Sequence, residues 1–304
     1  MTMNTKKYLE RMMGQTILAI QKCYHNYSDY DVLKITTESG NFIVKNIQSP
    51  QVISCLRKEK RVIDYLIAQK MSTICEPIHF INDEDGHLIS IQKFTEGTPL
   101  YQFNDADLDV EIGSELLFTA LKNLHEIPIP DDSFLCQLLD NNNESFHGDL
   151  KKIQHLEILP KSTLQWVEEF VDTTELSEGK LCFLHGDLSP MNIIITIINT
   201  KYHLTLIDFE KSHFGNPMKD VAKLIWFFRT NPQIGNRFID QYLAWNTMVS
   251  QKKLLQELKI YFIMDIVHHF SEYKHLIKNP VWINYFKEEE ILLYELIREK
   301  CLLW

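Results

Sequence analysis

The sequence predicts an α+β protein with two lobes, a small antiparallel-sheet N-lobe and a larger, mainly helical C-lobe. Strand-like patterns prevail up to about residue 94, and helical periodicity prevails after it. The chain of 304 residues is also longer than a typical domain of about 100 to 200 residues. We therefore expect an N-lobe at residues 1–94 and a C-lobe at residues 95–304.

The N-lobe is expected to be an antiparallel meander with one helix. Runs rich in β-branched and apolar residues, separated by turn-forming residues, predict its strands. These runs occupy residues 16–20, 31–36, 41–47, 78–82 and 87–93. Residues 50–71 instead repeat apolar side chains at helical spacing and carry lysine and arginine on the other face, which predicts an amphipathic helix packed on the sheet.

Helical periodicity recurs through the C-lobe. The expected helices span residues 107–126, 162–172, 218–228, 234–245, 251–275 and 281–302. Two β-rich runs interrupt this pattern at residues 193–197 and 203–207, and they predict an antiparallel hairpin with Ile195 opposite Thr205.

Composition and charge restrict the class of function. Apolar residues make up 45% and charged residues 24% of the chain, which is typical of globular proteins and excludes disorder. The formal net charge of −10 repels nucleic acid and favours a small cationic substrate. No apolar run is long enough to span a membrane, and the six cysteines show no C-x-x-C spacing. We expect a soluble, cytoplasmic protein with reduced thiols that is not secreted, while its oligomeric state is open.

The most informative segment is residues 181–220. A short apolar run leads into a His-Gly-Asp loop that ends at Asp187, and the predicted hairpin follows. The hairpin's open end brings Asn192, before its first strand, beside Asp208, after its second. An amide oxygen and a carboxylate are hard ligands suited to Mg²⁺ on phosphates, and Asp187 can then accept the proton of an attacking hydroxyl. This pattern is typical of phosphoryl transfer from ATP or GTP.

A lysine suited to the same chemistry lies in the N-lobe. Lys45 ends the third predicted strand, and Glu59 follows on the amphipathic helix. This order is typical of a strand lysine that meets the α- and β-phosphates and is held by a helix glutamate.

In their order along the chain, these residues resemble the aminoglycoside phosphotransferases and their choline-kinase-like relatives, which are small-molecule kinases of protein-kinase-like fold. The matching motifs are His185-Gly186-Asp187 with Asn192, Ile207-Asp208-Phe209-Glu210, Gly215-Asn216-Pro217 with Asp220, and Ile112-Gly113 through Leu124-His125-Glu126-Ile127-Pro128. The resemblance implies that Asp187 is the catalytic base, that Asn192 and Asp208 bind Mg²⁺, and that Lys45, with Glu59, contacts the phosphates.

The resemblance also implies where the nucleotide lies. The strand before the lobe boundary would be the hinge that holds the purine, with Gln92, Lys93 and Phe94 along it. Ser28 would cover the phosphates, in a segment that has no glycine where the family's loop often does. Asp220 would brace the catalytic loop from below.

The acceptor implied by the resemblance is an aminoglycoside-type antibiotic, which would make the protein an antibiotic-resistance enzyme. A choline, amino-alcohol or other metabolite kinase is the alternative, and a catalytically silent nucleotide-binding module is the alternative outside enzymes. A protein kinase is disfavoured because residues 208–220 are too short for a peptide-docking activation loop.

Three acidic side chains and one histidine are the candidates for binding the acceptor, the acidic ones through an ammonium group. The candidate acceptor-site residues are Glu210, Asp265, His269 and Glu272. Asp265 lies on an apolar helix face, where it could instead pair with a neighbouring helix. A second His-Gly-Asp, residues 147–149, lacks the following Asn and is interpreted as a surface turn.

Overall fold

The computed structural model describes residues 3–23, 31–47, 50–82, 88–103, 107–130, 146–156, 159–174, 181–247, 249–272 and 283–297. Its small lobe contains a five-stranded antiparallel sheet in the order β1-β2-β3-β5-β4. The strands are β1 (Ile17–Cys23), β2 (Asp31–Thr37), β3 (Gly40–Ile47), β4 (Ile78–Asn82) and β5 (Leu88–Lys93). All five predicted strands are present, with ends that differ by at most three residues from the prediction.

Two helices pack on this sheet. The predicted amphipathic helix is α2 (Pro50–Ala68), and an unpredicted helix, α1 (Met3–Met13), precedes β1. Leu9 of α1 is buried with Ile17, Ile35 and other side chains of one sheet face. Tyr8, Leu9, Met12 and Met13 recur at helical spacing on the face that packs against the sheet, and the sequence prediction overlooked this short pattern.

The large lobe is mainly helical, as predicted. Its helices are α3 (Val110–His125), α4 (Phe146–Leu156), α5 (Lys161–Thr173), α6 (Met218–Lys223), α7 (Ile225–Thr230), α8 (Pro232–Trp245), α9 (Gln251–Glu272) and α10 (Ile283–Ile297). Its short strands are β6 (Thr98–Pro99), β7 (Cys182–Leu184), β8 (Ile193–Ile198), β9 (Lys201–Leu206) and β10 (His213–Gly215). No described helix is long and apolar enough to cross a bilayer.

Two predictions for the large lobe were wrong in detail. The helix expected at residues 218–228 is divided at Leu224, whose N–H donates to the carbonyl of Val221 over 3.0 Å and tightens the backbone there. Residues 147–149 are not a surface turn, since they lie in α4, where Asp149 is buried. The apolar spacing of Leu150 and Ile153, which are both buried, is the signal for this helix.

The predicted hairpin is present with a different register. Ile195 lies opposite Leu204, and Thr205 lies opposite Ile194. The reason is the turn, which consists of two residues, Asn199 and Thr200, with φ angles of +49° and +66°. Such a turn is shorter than the five-residue connection expected, and each residue's partner therefore shifts by one.

The two lobes share one hydrophobic core. Leu66 of α2 and Ile78 of β4 are buried in the same cluster as Leu117 and Leu121 of α3. Between the lobes, Ile74 forms a parallel bridge with Leu206 of β9. This packing fixes α2 and the end of β9, on which the candidate site depends, relative to each other.

Candidate active site

A loop after β7 presents Asp187. The N–H groups of His185 and Gly186 donate to the carboxylate of Asp220 over 2.8 and 3.0 Å. Gly186 has a φ of +80°, and a Cβ atom there would overlap the carbonyl oxygen of Lys211, so this backbone requires glycine. Asp187 thus extends from a fixed loop, with its side chain 29% exposed and its carboxylate 3.5 Å from the Lys211 ammonium group.

Asp220 braces this loop from the first turn of α6. It is fully buried, and its Oδ2 lies 3.2 Å from Nε2 of His125. The other ring nitrogen of His125 lies 2.7 Å from the hydroxyl of Tyr242. Burial alone would raise the pKa of Asp220, but the His125 hydrogen bond and the charges of His125 and His185 lower it below its ordinary value. The carboxylate of Asp220 is therefore charged, and through His125 and Tyr242 it joins the loop that presents Asp187 to α3 and α8.

Asn192 and Asp208 flank the open end of the hairpin. The backbone carbonyl of Asn192 accepts the N–H of Ile207 over 3.0 Å, which extends the β8–β9 ladder toward Asp208. The side-chain nitrogen of Asn192 donates to the backbone carbonyl of Asp187 over 2.8 Å. The amide oxygen of Asn192 is therefore the side-chain atom that could bind a metal. Asp187, Asn192 and Asp208 thus belong to one cluster, although the register of the β8–β9 hairpin differs from the prediction by one residue.

The surroundings of Asp208 fit a divalent cation. Its φ of +67° is uncommon outside glycine, and such strain is concentrated at functional sites. Its Oδ1 is buried and has no hydrogen-bond partner among the described residues. Burial, and then the charge of Asp208, raise the pKa of Glu210. A hard cation such as Mg²⁺ would relieve both the crowded negative charge and the unpaired oxygen.

Lys45 and Glu59 meet across the N-lobe side of this cluster. The ammonium group of Lys45 lies 3.6 Å from a carboxylate oxygen of Glu59, which is 1% exposed. Burial raises the pKa of Glu59 to about 7, against the lowering effect of Lys45, while Asp208 and Glu210 add to the rise. The contact expected from their order along the chain is therefore present, and it borders the carboxylates at the hairpin end.

The residues predicted for the purine site occupy the last strand before the lobe boundary. The side chain of Gln92 donates to the carbonyl of Glu76 over 2.6 Å, and the ring of Phe94 lies 3.7 Å below the ammonium group of Lys34. The N–H of Phe94 donates to the sheet, while Lys93 is exposed. Their role in purine binding stays a prediction, and Ser28 lies outside the described residues.

The residues predicted to bind an ammonium group are divided between two places. Glu210 lies near Asp208 and Asp187, whose charges act on its carboxylate. Asp265 of α9 is buried and pairs with Lys223 of α6, and His269 lies 3.9 Å from it. The interhelical pairing of Asp265, which was the structural alternative, is therefore what the packing shows. Glu272 accepts a hydrogen bond from Lys152 over 3.0 Å.

Sequence reasoning missed three groups beside this site. Lys211 and Lys223 were not singled out, because lone lysines are common on surfaces. Asp149 belongs to the His-Gly-Asp tripeptide that was interpreted as a surface turn, so its contacts were not predicted. Its carboxylate lies 3.0 Å from His268 and accepts hydrogen bonds from Ser271 and Lys152 over 2.8 and 3.1 Å. The helical spacing of residues 146–156 was the signal that could have placed it on a buried face.

Comparison with known proteins identifies relatives of this chain. The model of the phosphotransferase enzyme family matches residues 20–254. No curated protein sequence matches the chain significantly.

Several solved structures have the same fold. The GDP complex of wild-type aminoglycoside 2′-phosphotransferase-IIIa aligns with a TM-score of 0.74 and 14% identity, over 98% of this chain and 99% of that one. Spectinomycin phosphotransferase in complex with ADP and spectinomycin aligns at 0.71 and 15%, over 97% of both chains. Macrolide 2′-phosphotransferase type I aligns at 0.69 and 16%, over 96% of this chain and 98% of that one. The two-lobed α+β fold expected from the sequence is thereby confirmed.

Proposed function

Because the chain belongs to the phosphotransferase enzyme family, we propose that it transfers the γ-phosphoryl group of ATP or GTP to a hydroxyl group of a small molecule. The observation that carries this proposal is the braced loop, which holds Asp187 against Asn192 at the end of the hairpin that bears Asp208. The fold brings these residues together from three segments of the chain, and phosphoryl transfer uses residues of these types. The structural neighbours solved with GDP or ADP support nucleotide binding.

Asp187 is the proposed general base. The acceptor's hydroxyl oxygen attacks the γ-phosphorus, the bond from that phosphorus to the β–γ bridging oxygen breaks, and the hydroxyl proton passes to Asp187. The products are a phosphate monoester and a nucleoside diphosphate, and the proton leaves to solvent. A fixed backbone suits this task, because the base must remain within hydrogen-bond reach of the hydroxyl during the attack.

Asn192 and Asp208 are the proposed ligands of Mg²⁺. The unpaired Oδ1 of Asp208 and the crowded carboxylates around it support this assignment. Bound Mg²⁺ would offset the charge of the phosphates. Lys45, held by Glu59, would contact the phosphates from the N-lobe, and Gln92, Lys93 and Phe94 would border the purine.

The class of molecule that accepts the phosphoryl group is a more specific proposal than the reaction itself. An aminoglycoside-type antibiotic is the class implied by the resemblance, and neighbours described as acting on aminoglycosides, spectinomycin or macrolides support a small, hydroxyl-bearing acceptor. A choline or amino-alcohol kinase is the alternative. Of the carboxylates predicted to bind an ammonium group, Asp265 and Glu272 each already pair with a lysine of the protein. The described cysteines form no disulfide with one another, which, together with a nucleotide substrate, is consistent with a cytoplasmic enzyme.

The test is release of nucleoside diphosphate, measured with ATP and with GTP against aminoglycosides, spectinomycin, macrolides, choline, ethanolamine and sugars. We expect acceptor-dependent release with at least one of them. Asp187→Asn should lower kcat by about 10² to 10⁴-fold, the usual contribution of a general base, with an unchanged melting temperature. Wild-type turnover in that variant would contradict the assigned base.

A second readout tests the metal site without turnover. In wild-type protein, ADP should raise the melting temperature more with Mg²⁺ than without it, because ligands of the native state stabilise it. Asp208→Asn should remove the difference that Mg²⁺ makes, and Asp240→Asn, an exposed change on α8, should leave it intact. An unchanged Mg²⁺ effect in Asp208→Asn would contradict the metal assignment.

A further inference from the structure

A cavity of about 570 Å³ lies where the two lobes meet. Its wall combines the segment before β4, the end of β5 with the residues that follow it, α3 and the β8–β9 hairpin. No residue of β1–β3 belongs to this wall, and neither do Lys45, Asp187, Asn192 and Asp208. Small-molecule sites typically have volumes of roughly 300 to 1,000 Å³. The cavity therefore has the size of a binding site, and it is separate from the residues proposed for phosphoryl transfer.

The charged lining of this cavity is mainly acidic. It consists of Glu76, Glu96, Glu115 and Lys93. Glu96 accepts a hydrogen bond from the side-chain amide of Asn41 over 2.6 Å. Glu115 accepts hydrogen bonds from Thr119 and Gln241 over 3.2 and 3.0 Å. These donors are uncharged, and within the described part of the chain none of the three carboxylates forms an ion pair. Three negative charges thus share the wall with one positive charge.

Apolar side chains supply much of the remaining wall. They are Ile74, Phe94, Leu116, Ile198, Tyr202 and Leu204. Ile198 is 51% exposed, and an apolar side chain in this position gains free energy when a ligand covers it. In the same wall, the hydroxyl oxygen of Thr73 is buried and has no hydrogen-bond partner among the described residues. These features favour an occupant that combines an apolar body with hydrogen-bond donors.

The acidic residues of the wall also belong to the connection between the lobes. The backbone carbonyl of Glu96 accepts a hydrogen bond from Thr196 of β8 over 2.6 Å. The backbone carbonyl of Glu76 accepts one from the side chain of Gln92 over 2.6 Å. A ligand among these carboxylates would therefore contact both lobes and stabilise the folded protein.

We propose that this cavity binds a small organic cation, an amine with an apolar ring or chain, whose ammonium group lies among Glu76, Glu96 and Glu115. A cleft lined by charges of one sign, with walls of low dielectric constant, strengthens their field. An ammonium group gains this attraction and an anion meets repulsion, whereas a neutral molecule gains only the apolar contacts. The site goes beyond the proposed phosphotransfer function and does not depend on it.

Three indole compounds with the same apolar body and different charge test the proposal: tryptamine, N-acetyltryptamine and indole-3-propionate. None of them carries an alcohol, so none can act as a phosphoryl acceptor. Calorimetry on the full chain measures their dissociation constants, without nucleotide and with Mg²⁺ and ADP. We expect tryptamine to bind about tenfold more tightly than N-acetyltryptamine, and indole-3-propionate to bind most weakly. Tryptamine should also bind in the presence of ADP, because β1–β3 are outside the wall.

Charge variants test whether the cavity is the place of binding. Glu76→Gln and Glu115→Gln should each weaken tryptamine binding, and the double variant should bind tryptamine no more tightly than N-acetyltryptamine. Lys93→Gln removes the one cation of the wall and should tighten tryptamine binding, a gain that partial unfolding would not produce. Glu288→Gln makes the same charge change at an exposed position of α10 and should leave the binding unchanged. Melting temperatures show whether each variant is folded.

Several results would overturn the proposed cation site. These are equal affinity for the three compounds, a preference for indole-3-propionate, no binding of tryptamine, or loss of its binding with ADP. Unchanged tryptamine affinity in the double variant and in Lys93→Gln would place the compound elsewhere and would also overturn it. The titrations involve no turnover, so a failure of phosphoryl transfer would count only against the proposed function.

Discussion

At the scale of single residues, Asp208 combines a strained backbone with a carboxylate oxygen that has no described partner. Asp208 has a positive φ, and one of its carboxylate oxygens is buried without a hydrogen-bond partner in the described part of the chain. A left-handed conformation at a non-glycine residue costs roughly 1 to 2 kcal/mol, so surrounding structure must impose it. The neighbouring ladder bond from Ile207 to Asn192 holds the residue that precedes Asp208. Stability is thus lower at the position where the proposed metal binds.

Loss of the Lys45 side-chain charge should weaken nucleotide binding more than loss of the Glu59 charge. Lys45→Met removes the proposed phosphate contact, so the KM for nucleotide should rise about tenfold or more. Glu59→Gln leaves the lysine in place and should have a smaller effect, because burial already raises the pKa of Glu59 to about 7. The double variant should resemble Lys45→Met. Steady-state kinetics at saturating acceptor would measure these changes.

The matched control is Lys60→Met. Lys60 follows Glu59 on α2 and pairs with Asp64 over 2.6 Å on the outer face, so its loss should leave the KM unchanged. A KM in Lys45→Met equal to that of Lys60→Met would show that Lys45 does not contact the nucleotide.

At the scale of elements, sequence patterns were most reliable where packing follows one periodicity. Each N-lobe strand was predicted, because runs of β-branched and apolar residues end at turn-forming residues. Helix α1 was missed although Leu9 and Met12 share the face that packs on the sheet, because the pattern extends over only 11 residues. The division at Leu224 was missed because the apolar spacing of the segment continues through it.

The site was predictable to a similar degree. Asp187, Asn192 and Asp208 could be placed because a hairpin fixes what lies at its open end, even with a register error of one residue. The partners of Asp265 and Asp149 could not be placed, since they depend on which faces of α4, α6 and α9 meet. Side-chain pairing between helices distant in sequence is a property of the packed lobe.

The turn between β8 and β9 should become more stable when Thr200 is replaced by glycine. Thr200 is β-branched and has a φ of +66°, which favours glycine strongly. We expect Thr200→Gly to raise the free energy of unfolding by about 0.5 to 1 kcal/mol. Thr205→Gly, within β9, should lower it by about 1 kcal/mol. Urea denaturation would measure both, and a destabilising Thr200→Gly would contradict the turn geometry.

Asp220 should couple stability to pH through the catalytic loop. Replacement by Asn leaves its donors poorly matched, so the free energy of unfolding should fall by about 3 kcal/mol. The pKa of Asp220 is lowered in the folded protein, so its stabilising effect is complete above its unfolded pKa of about 3.9. The effect is lost as pH falls below that value.

The difference between wild type and Asp220→Asn should therefore be constant above about pH 5 and shrink toward more acidic pH. Denaturant titrations at a series of pH values would measure it. Asp240→Asn, which is exposed on α8, should show neither the loss nor the trend. A difference that grows on acidification would mean that Asp220 is not held as a charged brace.

At the scale of the whole molecule, charge is distributed unevenly. The chain carries a net charge of −10, and the carboxylates of Asp208 and Glu210 crowd the proposed metal site. A negative field around the molecule would slow the approach of the anionic nucleotide, and screening by salt reduces that effect over distances beyond about 8 Å.

The shared core predicts that the lobes unfold together. Leu66 belongs to α2 of the small lobe, yet it is fully buried in the cluster that contains the core of the large lobe. All five tryptophans follow residue 94, so their fluorescence reports on the large lobe.

Leu66→Ala should destabilise the protein by about 2 to 5 kcal/mol, and the midpoint followed by tryptophan fluorescence should fall as far as the midpoint followed by circular dichroism. Leu18→Ala, at an exposed position of β1, should shift neither. A shift confined to circular dichroism would mean that the small lobe unfolds by itself, and the fixed placement of Lys45 and Glu59 against the catalytic loop would then require bound nucleotide.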